Sequence, residues 1–287
     1  MTKNEIKAIN KKDFAIVFSV KNANPNGDPN NGNRPRQSPF DSIGEISDVA
    51  IKRKIRNRFM DYDQDIFVQS EDRTIDGFRS LKDRADSIEG LKGADSETYK
   101  KIACETWIDV RTFGQVFSFK GDKNDSVSVG VRGPVAIQSA FSVHPIEITS
   151  TKITKSVNLV TSNKKTSDTM GEKHRVNYGL YVCYGSINSQ LAQDTKFSDK
   201  DANLLKETLR SIFENDVSAA RPAGSMEVHN VYWWEHNSPL GQYSSAKVHR
   251  SLEIEVKESI DIPSSYDDFE VKIKQLAGLE VEVLEGY

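Results

Sequence analysis

Apolar positions along the chain change period from one stretch to the next, and those changes predict the elements. Over residues 12–21 the run KDFAIVFSVK is apolar almost without break from Phe14 to Val20, the pattern of a central strand buried on both faces. The spacing then becomes helical: Ser47 is placed to cap a segment running to Met60 in which Ile51, Ile55 and Phe59 recur at i, i+4 and i+8. Residues 61–95 are charged, carry Gly77, Gly90 and Gly93 and show weak periodicity, so they read as an inserted, partly helical lobe. A second helix is predicted over 97–110. Strands with branched and aromatic residues follow at 115–119, 127–131 and 135–148.

Residues 149–176 hold few large apolar side chains and many Thr, Ser, Asn and Lys, so they cannot pack a core of their own and are expected to project as a hairpin. Strand pattern returns at 177–187, a helix capped at Ser198 is expected over 199–213 on Leu205, Leu209 and Ile212, and a strand over 226–234. Further strands are expected at 252–256 and 279–284, with a short helix at 266–275. No internal repeat is present. This order fits a ferredoxin-like α+β core interrupted by long insertions. That core serves many unrelated functions, so the sites must decide the function.

Composition narrows the classes. A chain of 287 residues, 37% hydrophobic, suits one large domain with insertions. Mean hydropathy of −0.57 and 28% charged residues predict a well-solvated protein. No apolar run approaches the roughly 20 residues of a membrane helix. Residues 1–12 are polar and lysine-bearing without an apolar core, so no signal peptide is read and a cytoplasmic location is expected. Cys104 and Cys183 stand far apart and outside any C-x-x-C pattern, as reduced thiols would. The formal charge of −3 hides a division: residues 1–60 carry twelve Lys/Arg against six Asp/Glu, 148–177 six against two, and 251–287 three against ten. Two segments therefore suit contact with a polyanion, unless unlike charges simply mix on the folded surface.

Four stretches carry candidate chemistry. The loop NANPNGDPNNGNRPR, residues 22–36, has prolines at 25, 29 and 35 that fix φ, glycines at 27 and 32 that permit positive φ, and asparagines that can satisfy turn backbones. It reads as a rigid turn, from which Arg34 and Arg36 exit with guanidinium forks suited to phosphate. A calcium loop is a poorer reading, because Pro29 stands at the pivotal glycine position after Asn24, Asn26 and Asp28, and the run Asp61, Asp63, Asp65 fails likewise. The helix sequence KRKIRNR, Lys52 to Arg58, has five basic residues in seven and none acidic. At 100° per residue Lys52, Arg53 and Arg56 share one flank, while Lys54 and Arg58 lie on the other. Such a charge run is either a solvated face or a track for phosphates.

The third stretch, in the projecting segment, offers Lys164, Lys165, Thr169, Met170, Lys173, His174 and Arg175. Met170 has no core periodicity and suits a wedge between bases, with lysines holding the backbone, although a basic loop reads the same way. The fourth runs from Arg221 to Arg250. Trp233 and Trp234 on a strand must face opposite ways, leaving one for the core and one able to stack on a base. His229, His236 and His249 lack a compact ligand spacing, so no metal site is read. Phosphate-binding, dinucleotide, nucleophile-elbow and zinc-protease motifs are absent, so neither a cofactor nor a catalytic residue is assigned.

At these residues the sequence closely resembles the crRNA-binding backbone subunit of the CRISPR Cascade complex in its type I-C form. The resemblance is carried by SVKNANPNGDPNNGNRPR, by DVRTFGQVF at 109–117, by VRGPVAIQSAFSVHPI at 131–146, by TMGEKHRVNYGLY at 169–181 and by ARPAGSMEVHNVYWWEHNSPLG at 220–241. It implies a hand-shaped protein: an RRM-like palm over 1–60, 96–148 and 177–287, a finger insertion over 61–95 and a β-hairpin thumb over 149–176. It implies sequence-independent binding of the crRNA spacer, head-to-tail copies, other Cascade subunits as partners and target DNA reached through the guide, with no membrane role. RNA contacts are then expected from Asn22, Asn24, Asn26, Asn33, Arg34, Arg36, Lys52, Arg53, Arg56, Lys164, Lys165, Thr169, Met170, Lys173 and Arg221. Thr169 and Met170 would form the wedge, and Lys52, Arg53 and Arg56 with Arg34 the palm grip. Two alternatives remain: a metal-dependent RNA endonuclease subunit using Asp28, and a structural subunit that binds only proteins.

Overall fold

The computed structural model describes residues 9–119, 127–154 and 170–287. In chain order its elements are β1 (Lys12–Ala23), the short pair β2 (Gly27–Asp28) and β3 (Arg34–Pro35), β4 (Ile43–Ile46), α1 (Asp48–Asp61), α2 (Leu81–Asp86), α3 (Ser96–Thr106), α4 (Ile108–Phe113), β5 (Gly114–Phe119) and β6 (Val127–Arg132). Then come β7 (Val135–Ile137), β8 (Ala140–Pro145), β9 (Ile148–Thr154), β10 (Met170–Ile187), α5 (Ser189–Thr195), α6 (Asp199–Arg210), β11 (Met226–Glu235), α7 (Ser245–His249), β12 (Leu252–Val256), β13 (Phe269–Ile273) and β14 (Val281–Glu285). The result is a mixed α and β molecule around a large antiparallel sheet, ordered β14-β11-β1-β10-β8-β4, with β7 and β9 also paired to β10. Among the described residues no helix is long and apolar enough to cross a membrane.

The unbroken apolar run of β1 is explained by cover on both faces. Phe14, Ile16, Phe18 and Val20 point into one core with Ile51, Ile55 and Phe59 of α1 and Leu205 and Leu209 of α6. Ala15 and Val17 point into a second, closed by Val248 of α7, Leu252 of β12 and Phe269 of β13. No open face is therefore left at β1, unlike the open sheets on which many RNA-binding folds stack bases. Trp233 lies in the first core and Trp234 in the second, each 1% exposed, so neither is free to stack on a base; the expectation that one would be is corrected.

Local signals account for the helices. The Ser47 hydroxyl accepts from Ala50 N at the start of α1, and Ser198 forms a capping box with Asp201 at the start of α6. Burying Ile51, Ile55 and Phe59 contributes about 1.5–3 kcal/mol each. The helix expected over 97–110 breaks at Trp107, whose extended backbone separates α3 from α4 and lets its ring pack on Phe67, 4.6 Å between centroids. The helix expected over 199–213 stops at Arg210. The short helix expected at 266–275 is a single turn, Tyr266–Asp268, followed by β13. A third core gathers Phe67, Ala85, Leu91, Tyr99, Trp107, Phe117 and Val129. The lobe after α1 thus packs as one body with α3, β5 and β6, with no gap at residue 95.

Candidate nucleic-acid interface

The loop after β1 is built as its residues suggest. Asn22 and Asn33 take positive φ (55° and 58°), and Gly32 does the same (58°). Asn24 Nδ2 donates to Asn33 O at 2.7 Å, and Asn26 Oδ1 accepts from Ser47 N at 3.0 Å, which ties the loop to the start of α1. Asp28 Oδ1 accepts from Asn30 N at 3.1 Å and lies 3.9 Å from Arg36 Nη2, so this carboxylate caps its own turn. The loop is rigid because side-chain amides replace the backbone partners that a strand would supply.

Arg34 reaches away from the loop and donates through Nη1 to Ser150 Oγ at 2.9 Å. Ser150 Oγ accepts from Arg34 and lies 2.8 Å from His174 Nδ1, within hydrogen-bond distance of the imidazole. This chain joins the loop to the hairpin. β9 pairs with the first residues of β10, Met170 opposite Thr154 and Val176 opposite Ile148, and β10 then continues unbroken into the main sheet. The strand expected to begin at 177 therefore begins at 170. Direct partners in an antiparallel ribbon share a face. Met170, Glu172 and His174 lie on the face that meets Arg34, while Lys173 and Arg175 lie on the other. Met170 is 64% exposed. Lys164, Lys165 and Thr169 lie outside the described residues.

The basic helix differs from the picture of an unpaired run, because each of its five cations has an internal partner. Lys52 Nζ meets Asp48 Oδ2 at 2.9 Å, Arg53 Nη1 donates to Val68 O at 2.6 Å, Arg56 Nε meets Asp109 Oδ2 at 2.9 Å and Arg58 Nη1 meets Asp61 Oδ2 at 3.3 Å. Lys54, 4% exposed, pairs with Asp216 in a short contact. Burial pushes its ammonium down to about 8, against the pull of Asp216. Two of the partners, Asp48 and Asp61, flank the run on the same helix, while Asp109 and Asp216 lie 53 and 162 residues from theirs.

A groove of about 310 Å³ collects three of the four stretches. Asn26 and Gly27 of the loop, Arg53, Lys54 and Asn57 of α1, and Asp216 and Arg221 line it, and Ser70, Asp72 and Arg73 of the lobe form the opposite wall. Four cationic side chains face two carboxylates there, and Arg221 Nε meets Asp216 Oδ2 at 2.9 Å. Of the residues expected to touch RNA, the groove brings together Asn26, Arg53 and Arg221. It leaves out Lys52 and Arg56, held at Asp48 and Asp109, and Arg34, held at Ser150. It adds Lys54, Asn57 and Arg73, which periodicity alone had not grouped with Arg53. Asn57 was findable, since it lies four residues from Arg53 and thus one turn away on the same face. Arg73 was not, because nothing local places the lobe against α1.

Among the described residues no group of three or more His, Cys, Asp or Glu could hold a metal ion. A groove in which four cations and the amides of Asn26 and Asn57 outnumber two carboxylates is positively biased and can hold phosphate and hydroxyl groups along an extended strand.

A curated CRISPR-associated protein Cas7 of Haloferax volcanii is 27% identical over 236 residues, covering 75% of this chain and 68% of that protein. Among solved structures, a chain of a CRISPR RNA-guided surveillance complex, pre-nicking, is similar at a TM-score of 0.49 and 16% identity, covering 78% of this chain and 75% of that one. A chain of another CRISPR RNA-guided surveillance complex gives 0.46 and 16%, covering 78% and 68%. The family model for CRISPR-associated protein Cas7 matches residues 10–274, nearly the whole sequence, and on that match the chain belongs to the Cas7 family.

Proposed function

We propose that this chain is the repeated backbone subunit of a CRISPR Cascade-type surveillance complex of the type I-C form, and that it binds the crRNA spacer without reading its sequence. The observation that carries this reading is the groove in which Asn26, Arg53, Lys54, Arg73 and Arg221 converge beside a hairpin tethered through Arg34. Contacts to phosphate and 2′-hydroxyl groups leave base edges free, so any spacer is accepted and the guide can pair with target DNA. The palm, RRM-like in plan, carries the groove, with the lobe after α1 as fingers and the hairpin 149–176 as thumb. Met170, exposed on the Arg34-facing side, is the wedge residue with Thr169, and Lys164, Lys165 and Lys173 steady the strand. Head-to-tail copies and other Cascade subunits complete a cytoplasmic filament, since a heterologous interface that does not close builds an open helix.

The subunit is non-catalytic in this reading, as the commitment of Asp28 to Asn30 N and Arg36 supports. The test is direct: purify the protein from cells carrying its CRISPR array, extract nucleic acid and size it. A discrete small RNA, left uncut when complementary RNA and Mg²⁺ are added, is the expected result. Material free of RNA, or Asp28-dependent cuts at regular spacing, would overturn it.

A further inference from the structure

Among the described residues the most exposed large apolar side chain is Phe40, at 97%. It sits on a turn that the loop 22–36 leads into. A ring left in water gives up the roughly 1.5–3 kcal/mol that burial would contribute. The turn that holds it there is nevertheless built. Ser38 N donates to Ile43 O at 2.8 Å, and Ser42 N to Ser38 O at 3.1 Å. The Asp41 carboxylate accepts from Ile43 N at 3.2 Å. Gln37 Nε2 lies within bonding distance of both Ser42 O (3.1 Å) and Ile146 O (2.7 Å), and Ile146 N donates to Ser42 O at 2.8 Å. These bonds fix the turn to the segment between β8 and β9, at the root of the hairpin. Phe40 is thus presented by a rigid support.

Its surroundings say what it can meet. Arg34 and Arg36 precede it on the same ribbon, with Arg36 at most about 13 Å of extended chain away, about two nucleotide steps. Its neighbours along the turn are Ser38, Pro39, Asp41 and Ser42, with no large apolar side chain among them. A protein-docking anchor sits among apolar residues that exclude water, which these are not. A lone exposed ring that follows two arginines along the chain is instead an arrangement that suits single strands, with cations for the backbone and a π-face for a base.

We propose that Phe40 is a stacking platform for one nucleobase of the bound single-stranded RNA. The inference rests on the RNA-binding reading above and adds to it a base contact that any sequence can make, since every base has a π-face. It also predicts a built-in reporter. The three native tryptophans, Trp107, Trp233 and Trp234, are all buried, so Phe40→Trp introduces the one that a base can reach.

The experiment measures binding of a fluorescein-labelled single-stranded RNA by anisotropy for the wild type, Phe40→Ala and Phe40→Tyr, with tryptophan emission of Phe40→Trp followed in parallel. Phe40→Ala is expected to weaken binding about 5- to 150-fold, the loss of one base–aromatic stack, without changing the salt dependence. Phe40→Tyr should restore affinity, and RNA should quench the new tryptophan. RNA bound equally by all variants with unchanged emission would overturn the platform while leaving the RNA-binding reading intact. A change in that emission with protein concentration and no RNA would show the ring docking on another copy, and overturn it as well. A wild type that binds no RNA would remove the reading beneath it, and the platform with it.

Discussion

Arg56 Nε lies 2.9 Å from Asp109 Oδ2, and this one carboxylate also accepts from Phe67 N at 2.8 Å and Val68 N at 3.1 Å. Asp109 is fully buried, so it is the polar joint between α1 and the lobe that forms the far wall of the groove. Asp109→Ala leaves a guanidinium and two backbone donors without their partner, and should cost about 3–5 kcal/mol of stability in urea unfolding. A loss under about 1 kcal/mol, the scale of a surface pair, would mean that the lobe is held by apolar packing alone.

A second joint is made of backbone. A Cβ added at Gly133 would meet Phe113 C at 2.2 Å, Gly114 N at 2.3 Å and Thr112 O at 2.4 Å, none of which can rotate away. Gly133→Ala should therefore destabilise by about 1–3 kcal/mol or more through a shift of β6 against α4. Gly130→Ala, where no atom lies within 4 Å, is the control and should change the urea midpoint little.

Half-buried His144 and His229 and buried His249 set an acid limit. Burial holds His144, His229 and His249 below the ordinary 6.5; for His249 the neighbouring Lys11 adds to this, while Asp13 and the Gly185 carbonyl oppose it. Below about pH 6.5 the unfolded chain binds more protons than the folded one, so stability should fall as pH drops from there through the lower folded values, and these groups should contribute no slope above it. Urea midpoints across that range check this; His249→Gln should flatten the slope.

Much of the fold was legible because its signals are local. Ile51, Ile55 and Phe59 marked α1 and Ser47 its start, and the unbroken apolar run of β1 announced a strand covered on both faces. The misreading at 266–275 also has a local cause: Ser265 and Asp268 form a capping box, a helix-start signal, but the Phe269, Val271, Ile273 alternation that follows is a strand period paired with β12. The candidate site was half legible. Its loop and basic helix stood out, and Asp48 and Asp61 pair with Lys52 and Arg58 within one turn, whereas Asp109, Asp216 and the Arg73 wall come from distant parts of the chain and have no local trace. The same limit explains Trp234, whose cover by β12 and β13 is a tertiary event.

Met170 is exposed, so the fold does not depend on its side chain. Met170→Ala should leave the thermal midpoint unchanged and alter the periodic nuclease exposure of RNA in the assembled complex. An unchanged cleavage pattern would take the wedge role from this residue.

The salt dependence of RNA affinity reports on a phosphate grip in the groove. Binding of two single-stranded RNAs of unrelated sequence, measured over a range of salt for the wild type and for Arg53→Ala with Arg221→Ala, should give matching affinities for both RNAs. The double variant should bind more weakly, with a slope shallower by about 0.7 for each phosphate that the protein no longer neutralises. An unchanged slope, or a strong preference for one RNA, would contradict the account.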